Sequence, residues 1–199
     1  SYETADSVTW VYTIEPGMTW SDGEPVTAED ILFTLEYDDA NGSANFVSQT
    51  DEDGKVTEAK YASYAISDDE MSISLTLTSA NVRELSNMTS FRVMPKHIYE
   101  GKDSVTEVEA RVTCGPYMLD SFNKEAGTLI FVPNPYYPLE PNVGKLTYRL
   151  FGNEDTMYLA LQQGDIDMVW AYSAGVAGTY QDVLAGDANV SLINVAAAN

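Results

Sequence analysis

The stretch from Trp20 to Asp30 reads WSDGEPVTAED and constrains the backbone at almost every residue. Asp22-Gly23 predicts a tight turn, because glycine adopts positive φ without a steric cost and aspartate can accept hydrogen bonds from backbone N–H groups beyond it. Pro25 disfavours helical geometry at Glu24, so the chain should stay extended there after it reverses. A fold that contains this chain must therefore place a chain reversal at this point.

A helix is expected directly after the turn. Thr27 stands three residues before Asp30, so its hydroxyl can accept from a first-turn N–H while the carboxylate reaches back to the start of the helix. The helix is therefore predicted to start at Ala28. Its apolar residues share one helical face, which predicts a buried side; they are Ala28, Ile31, Leu32 and Leu35.

Alternating residues predict strands on either side of this helix. Val8 to Ile14 is rich in residues that favour strands, and apolar residues alternate with Ser and Thr from Met71 to Thr78. Tyr64 and Ile66, before a turn at Ser67 to Glu70, should supply the hairpin partner. A sheet with one solvent-exposed face is therefore expected in the first part of the chain.

The remaining elements are predicted from caps, proline positions and periodicity. A surface excursion is expected over Asp38 to Lys60 and a helix over Asn81 to Ser90. Strands at Thr128 to Val132 and Lys145 to Phe151 flank a proline-rich link, Pro133 to Asn142.

Asn153 should cap a helix that buries Met157, Ala160 and Leu161 and ends at Gly164. After Gly164, the sequence predicts a largely parallel sheet from alternating strands and helices. The predicted elements are a strand over Ile166 to Trp170, a helix over Thr179 to Ala185 and a strand over Val190 to Val195.

Composition excludes several classes of function. The 199 residues are 44% hydrophobic, which is enough for a good core, and no run approaches the roughly 18 apolar residues of a membrane span. A net charge of −21 would repel phosphate backbones, so a nucleic-acid partner is not expected. With one cysteine, Cys114, and one histidine, His97, neither an internal disulfide nor a zinc site of Cys and His ligands can form.

Few residues are candidates for catalysis. Asp165 and Asp167 lie two apart on a predicted strand, so both carboxylates could project from one face as a metal site or an acid/base pair. The alternative is a solvated edge, which we favour because no environment in the sequence would separate their pKa values. His97 lacks a nucleophile motif and Cys114 lacks a neighbour that would lower its pKa, so both are interpreted as structural. We therefore expect neither catalytic residues nor a metal or cofactor site.

A ligand site is predicted just beyond the strand that ends at Trp170. Ligands of open α/β sheets bind at the carboxyl ends of strands, which is where Trp170, Tyr172 and Ser173 lie. With Ala171 between them, these residues are the candidate ligand contacts.

Seven ordered motifs resemble the family of peptide- and nickel-type solute-binding proteins of ABC transporters, over nearly the whole chain. They are VTWVYTI, EPGMTWSDGEPVTAEDILFTLE, DDEMSISLTL, VMPKHIYE, CGPYMLDSF, NPYYPLEPNVGKLTYRLF and EDTMYLALQQGDIDMVW. Two segments depart from the pattern. VTCGPY stands where members usually carry a Gly-Thr-Gly-Pro-Tyr segment, and AYSAG lies in a region that varies with ligand, so Trp170, Ala171, Tyr172 and Ser173 are assigned by position.

The resemblance implies an incomplete fold of the periplasmic-binding-protein-like type II class, α/β with an inserted α+β domain. Complete members look like three domains that enclose the ligand between the first and the third. Residues 1–108 match the inserted second domain and 109–199 part of the first, ligand-facing domain. The third domain is absent, so we expect an internal fragment without its signal peptide.

The implied function is that of a non-enzymatic, extracytoplasmic component of an ABC importer. It would bind short peptides, or a related solute such as a metal chelate, and deliver them to membrane permease subunits. A monomer is expected, in the periplasm or as a cell-surface lipoprotein. Two alternatives stay open: an acidic hydrolase that uses Asp165 and Asp167, and a binding module repurposed as a sensor or adhesin.

Overall fold

The computed structural model describes residues 1–40, 49–50, 52, 56–58, 60–102, 111–169, 176 and 178–193. The chain divides into two compact units. The first unit comprises Ser1–Ser121 and Ile130–Leu146, and the second comprises Phe122–Leu129 and Thr147–Asn199. None of the described helices is long and apolar enough to cross a bilayer.

The elements follow the chain in a mixed α and β order, which confirms the predicted fold class. They are β1 (Tyr2–Glu3), β2 (Thr9–Thr13), α1 (Ala28–Ala40), β3 (Gln49–Thr50), β4 (Val56–Glu58), β5 (Tyr61–Ile66), β6 (Ser72–Leu77), α2 (Glu84–Met88), α3 (Lys96–Tyr99), β7 (Tyr117–Asn123), β8 (Thr128–Pro133), β9 (Leu146–Arg149), α4 (Glu154–Gln163) and α5 (Gly178–Ala185).

The first unit contains a four-stranded sheet of order β1-β2-β6-β5, and each neighbouring pair is antiparallel. The predicted hairpin is confirmed: Tyr64 pairs with Leu75 and Ile66 with Ile73, across a turn in which Ser67 N–H donates to the Ser72 carbonyl at 3.0 Å. Helix α1 starts at Ala28 as predicted and buries its apolar face on β6. The core comprises Ala28, Ile31, Leu35, Ile73 and Leu75.

Two of the predicted helices differ from the observed ones in extent or burial. The helix expected over Asn81 to Ser90 is confined to α2. Helix α4 is capped by Asn153 and ended by Gly164 as predicted, but its buried residues are Tyr158 and Ala160, whereas Met157 and Leu161 are half-buried.

The parallel sheet predicted after Gly164 does not form in the described residues. Asp165 to Val169 adopt bends and irregular backbone, Val190 to Ile193 are irregular, and no described strand pairs with either segment. A strand needs a neighbour for its N–H and C=O groups, so alternation alone could not make these segments strands. Met168, expected on the apolar face, is 72% exposed.

Candidate functional site

The predicted ligand contacts, Trp170, Ala171, Tyr172 and Ser173, lie outside the described residues. Described residues of the second unit that precede these positions line a cleft.

A cleft of about 410 Å³ lies in the second unit, between the end of β9 and one face of α4. Its helical residues are spaced at i, i+3, i+4 and i+7, which places them side by side on that face. The lining residues are Ala126, Arg149, Leu150, Phe151, Gly152, Thr156, Leu159, Ala160, Gln163 and Asp165.

Two caps fix the ends of the helix that lines the cleft. The Asn153 side chain accepts from the Thr156 N–H at 2.9 Å, which satisfies one free donor of the first turn. Gly164 adopts φ 76°, the left-handed geometry that ends a helix, and the next residue, Asp165, donates its N–H to the Ala160 carbonyl at 2.9 Å. Asp165 is thereby placed among the residues that line the cleft.

The opposite face of the helix packs on α5. The Tyr158 and Tyr180 rings are 4.5 Å apart, and the Tyr180 hydroxyl donates to the Asp155 carboxylate. That hydrogen bond, with burial and the Asp155 charge, raises the pKa of Tyr180 to about 12. The contact with Tyr180 explains why Tyr158 is buried, although the sequence analysis did not place it on the buried side of the helix.

The cleft carries two charges of opposite sign. The Arg149 guanidinium lies over the Phe151 ring, 4.8 Å from its centroid, and Asp165 is exposed. Neither side chain forms an ion pair within 4.0 Å among the described residues. The two charges therefore line one space without neutralising each other.

The carboxylate pair proposed for a hydrolase lacks its expected geometry. Asp165 and Asp167 lie in an irregular segment instead of on a strand, both are exposed, and only Asp165 lines the cleft. Within the described ranges, no group of three or more His, Cys, Asp or Glu side chains could hold a metal ion. The predicted strand after Gly164 is wrong for the described residues, so Asp165 and Asp167 do not share the face of a strand.

The WSDGEPVTAED motif, by contrast, converges on one buried carboxylate. Asp30 accepts from the Trp20 indole N–H at 3.1 Å, the Thr27 N–H at 3.0 Å and the Lys96 N–H at 2.8 Å. The reach back to Thr27 was predicted, but the other two donors were not. Lys96 also pairs with Glu29 at 2.9 Å, which fastens α3 to α1.

Other recognised motifs meet the same turn. Ser21 exchanges two hydrogen bonds with Thr113 of VTCGPY, at 2.8 and 3.1 Å, and the Tyr136 ring of NPYY lies against Gly23. Asn134, 97% buried, holds that tyrosine segment by donating to the Gly115 carbonyl at 2.9 Å. WSDGEPVTAED, VTCGPY and NPYY thus form one structural cluster in the first unit.

The two candidate nucleophile or base residues also lie at this cluster, in structural roles. His97 Nε2 is 2.8 Å from Asp22 Oδ2. Burial pushes the pKa of Asp22 upward, but the hydrogen bonds with His97 and the Glu24 N–H outweigh it, so the pKa is lowered. Burial raises the pKa of the Cys114 thiol, which disfavours the reactive thiolate.

A second buried carboxylate was missed by the sequence analysis. Glu84 is 1% exposed and accepts from the Tyr61 hydroxyl at 2.9 Å, while Lys60 Nζ lies 3.2 Å away. Burial, reinforced by the Glu84 charge, raises the pKa values of Tyr61 and Tyr12. Glu84 is the first residue of α2, and the sequence carries no local signal of its phenol and amine partners, because Tyr61 opens β5 and Lys60 directly precedes it.

Comparison with known proteins points to one family. The profile described as bacterial extracellular solute-binding proteins, family 5 Middle, matches residues 1–191. A probable D,D-dipeptide-binding periplasmic protein of Escherichia coli K12 is 28% identical over 172 residues, covering 82% of this chain and 31% of the relative. The nickel-binding periplasmic protein of the same organism is 25% identical over 173 residues, covering 83% of this chain and 30% of that protein.

A solved structure shows the same likeness. The substrate-binding protein CtaP of an ABC transporter of Listeria monocytogenes superposes with a TM-score of 0.67 at 25% identity, covering 83% of this chain and 34% of that protein. The chain thus has part of a periplasmic-binding-protein type II fold. It spans about a third of the length of these proteins.

Proposed function

Because this chain belongs to the bacterial extracellular solute-binding proteins of family 5, we propose that it is part of the solute-binding component of an ABC importer. The component binds short peptides, or a related small solute such as a metal chelate, and delivers them to the permease. The observation that carries this proposal is the family match over residues 1–191. Proteins of this family are extracytoplasmic, and a periplasmic or lipid-anchored monomer is the form we propose.

The chain contributes to two domains of the proposed binding protein. Residues 1–108 form the inserted domain and 109–199 contribute to the ligand-facing domain; the boundary lies within 103–110, outside the described residues. Ligand binding would bias a hinge between open and closed states of the whole protein, since a ligand that contacts both lobes is bound better by the closed state.

Trp170, Ala171, Tyr172 and Ser173 remain the proposed ligand contacts. Their support is positional: they follow within eight residues of Asp165, which lines the cleft of the second unit. A non-enzymatic role is supported by the exposed, irregular setting of Asp165 and Asp167. A hydrolase would need two carboxylates held at a defined separation in a shielded site.

Native mass spectrometry of the full-length gene product, mixed with a random pool of di- to pentapeptides, tests the function. We expect peptide adducts of many sequences, displaced by any one peptide in excess. Retention of sugars or metal chelates alone, or of nothing, would overturn peptide binding. Tyr172→Ala should weaken the adducts, whereas Tyr2→Ala, which removes an exposed tyrosine from the first unit, should leave them unchanged.

A further inference from the structure

Two buried donors in the first unit have no hydrogen-bond partner among the described residues. They are the indole N–H of Trp10 and the hydroxyl of Tyr12. Trp10 is 4% exposed, and its ring stacks on that of Tyr12 with the centroids 6.4 Å apart. Buried indole and phenol groups usually have a partner, because an unpaired buried donor loses the hydrogen bond that it makes with water in the unfolded chain. The two groups therefore require an acceptor that the described protein atoms do not supply.

Both rings lie on the face of the four-stranded sheet that packs on α1. Trp10 of β2 pairs with Leu75 of β6 and Tyr12 pairs with Ile73, and Leu75 and Ile73 are core residues. Residues directly opposite each other on neighbouring antiparallel strands project from the same face of a sheet. The two unpaired donors are thus on the core side of the sheet and not on its solvent-exposed face.

The hydrogen-bond network of Glu84 borders the same position. The Tyr61 hydroxyl donates to Glu84 at 2.9 Å, and its oxygen accepts no hydrogen bond among the described residues. Burial raises the pKa of Tyr12, and the Glu84 charge reinforces that effect. Burial also raises the pKa of Tyr61, to which Glu84 and then the Tyr12 phenol contribute further. Because such effects depend on short separations, Tyr12, Tyr61 and Glu84 lie close enough to belong to one network.

We propose that one ordered water molecule binds at this position and joins the two unpaired donors to Tyr61. The water oxygen accepts from the Trp10 indole N–H and from the Tyr12 hydroxyl, and one water hydrogen donates to the Tyr61 hydroxyl oxygen. Buried waters typically form about three hydrogen bonds to polar groups that lack other partners, and this arrangement gives that number. The water thereby extends the Glu84 network from α2 and β5 to β2, whatever solute the complete protein binds.

The chemistry of the surrounding groups selects water over an ion. An indole N–H can only donate, whereas a phenol oxygen can also accept, so the occupant has to accept from one group and donate to another. A metal cation accepts no hydrogen bonds. An anion could accept from both donors, but the carboxylate of Glu84, 1% exposed, would repel it. Water has both capacities, carries no charge and takes up only about 30 Å³ in the liquid, which suits a position between buried rings.

NMR of the chain labelled with ¹⁵N at tryptophan tests the water site directly. The Trp10→Phe variant assigns the Trp10 indole signal, and we expect a cross-peak between that proton and water. The cross-peak should have opposite signs in NOE and ROE spectra, which distinguishes a bound water from proton exchange. Trp20 is the matched control, because its indole is 1% exposed but donates to Asp30 at 3.1 Å, so it should give no such cross-peak. Absence of the cross-peak at Trp10, or an equal one at Trp20, overturns the proposal.

Tyr12→Phe should give opposite results with and without the bridging water. If the hydroxyl donates to water, its removal should raise the equilibrium constant for unfolding about fivefold, the value of one hydrogen bond. If the hydroxyl is unpaired, its removal relieves a buried polar group and should lower that constant. Tyr2→Phe is the matched control: the Tyr2 ring also lies beside Trp10, at 6.2 Å, but is 50% exposed, so the constant should change by less than about twofold. Urea denaturation measures both variants, and no change or a decrease for Tyr12→Phe overturns the proposal.

A double-mutant cycle with Tyr61→Phe tests the bridge between the two phenols. Tyr61→Phe removes the acceptor of the water, so in that background Tyr12→Phe should raise the unfolding constant by less than about twofold. The lost hydrogen bond from Tyr61 to Glu84 is common to the single and double variants and cancels in the cycle. An unchanged effect of about fivefold in that background would show that the water does not join the two residues, and would overturn the proposal.

Discussion

The turn at Trp20–Glu24 in the first unit and the cleft beside α4 in the second unit use polar residues in opposite ways. At the turn, polar atoms are paired within the fold. The Trp20 backbone N–H donates to the Glu24 carbonyl at 2.7 Å, and the Asp30 carboxylate accepts from three N–H groups, one of them the Trp20 indole. In the cleft, Arg149 and Asp165 are exposed and form no ion pair among the described residues.

This difference separates buried polar residues that hold the fold together from exposed polar residues that other molecules can reach. A side chain that already satisfies buried N–H donors has little capacity left for a solute, and moving it costs the paired interactions. An exposed charge without a partner can contact a ligand at little cost to the fold. The motif that is easiest to recognise is therefore scaffold.

Asp30→Ala should produce the largest loss of stability. It leaves the Trp20 indole, the Thr27 N–H and the Lys96 N–H without their acceptor, and we expect a loss of about 3–5 kcal/mol in the free energy of unfolding. Urea denaturation followed by tryptophan fluorescence measures it.

Two variants sharpen this first prediction. Asp30→Asn should lower the free energy of unfolding by less, because the amide oxygen of asparagine can still accept a hydrogen bond. Asp165→Ala removes the same charge from the exposed cleft and should change stability by less than about 0.5 kcal/mol. Equal losses in Asp30→Ala and Asp165→Ala would contradict the contrast between the two regions.

Leu184→Ala should have the next largest effect, in the second unit. Leu184 of α5 is 1% exposed, whereas Leu159 on the cleft side of α4 is 51% exposed. We expect Leu184→Ala to cost about 2–4 kcal/mol, because it leaves a cavity, and Leu159→Ala to cost less than about 1 kcal/mol. Thermal unfolding by circular dichroism compares them, and a large loss for Leu159→Ala would show that the cleft face is part of the core.

Sequence reasoning succeeded where the interactions are local. Each helix end that was predicted correctly depends on residues within four positions of each other, so the local sequence is enough to predict it. These ends are the start of α1 at Ala28, the Asn153 cap and the Gly164 stop. The hairpin that pairs Ile66 with Ile73 likewise spans a short turn.

Sequence reasoning failed where distant segments decide. Whether Ile166 and Met168 form a strand depends on a neighbouring strand that alternation cannot supply, and the burial of Tyr158 depends on Tyr180 of the next helix. The Lys96 N–H reaches Asp30 across 66 residues, which no local pattern records. The assignment of Trp170, Ala171, Tyr172 and Ser173 as ligand contacts stays a prediction.

Gly23→Ala should have the smallest of these effects, and it separates backbone strain from steric contact at the turn. Gly17 and Gly23 both adopt positive φ, 83° and 97°, but a Cβ at Gly23 would lie 3.2 Å from the Tyr136 hydroxyl, whereas a Cβ at Gly17 would have no neighbour within 4 Å. Gly17→Ala should therefore cost about 1 kcal/mol from strain alone, and Gly23→Ala about 2 kcal/mol. In a Tyr136→Ala background the two costs should become equal, as measured by urea denaturation in a double-mutant cycle. If Gly23→Ala keeps its larger cost without that ring, the extra cost does not come from contact with the tyrosine.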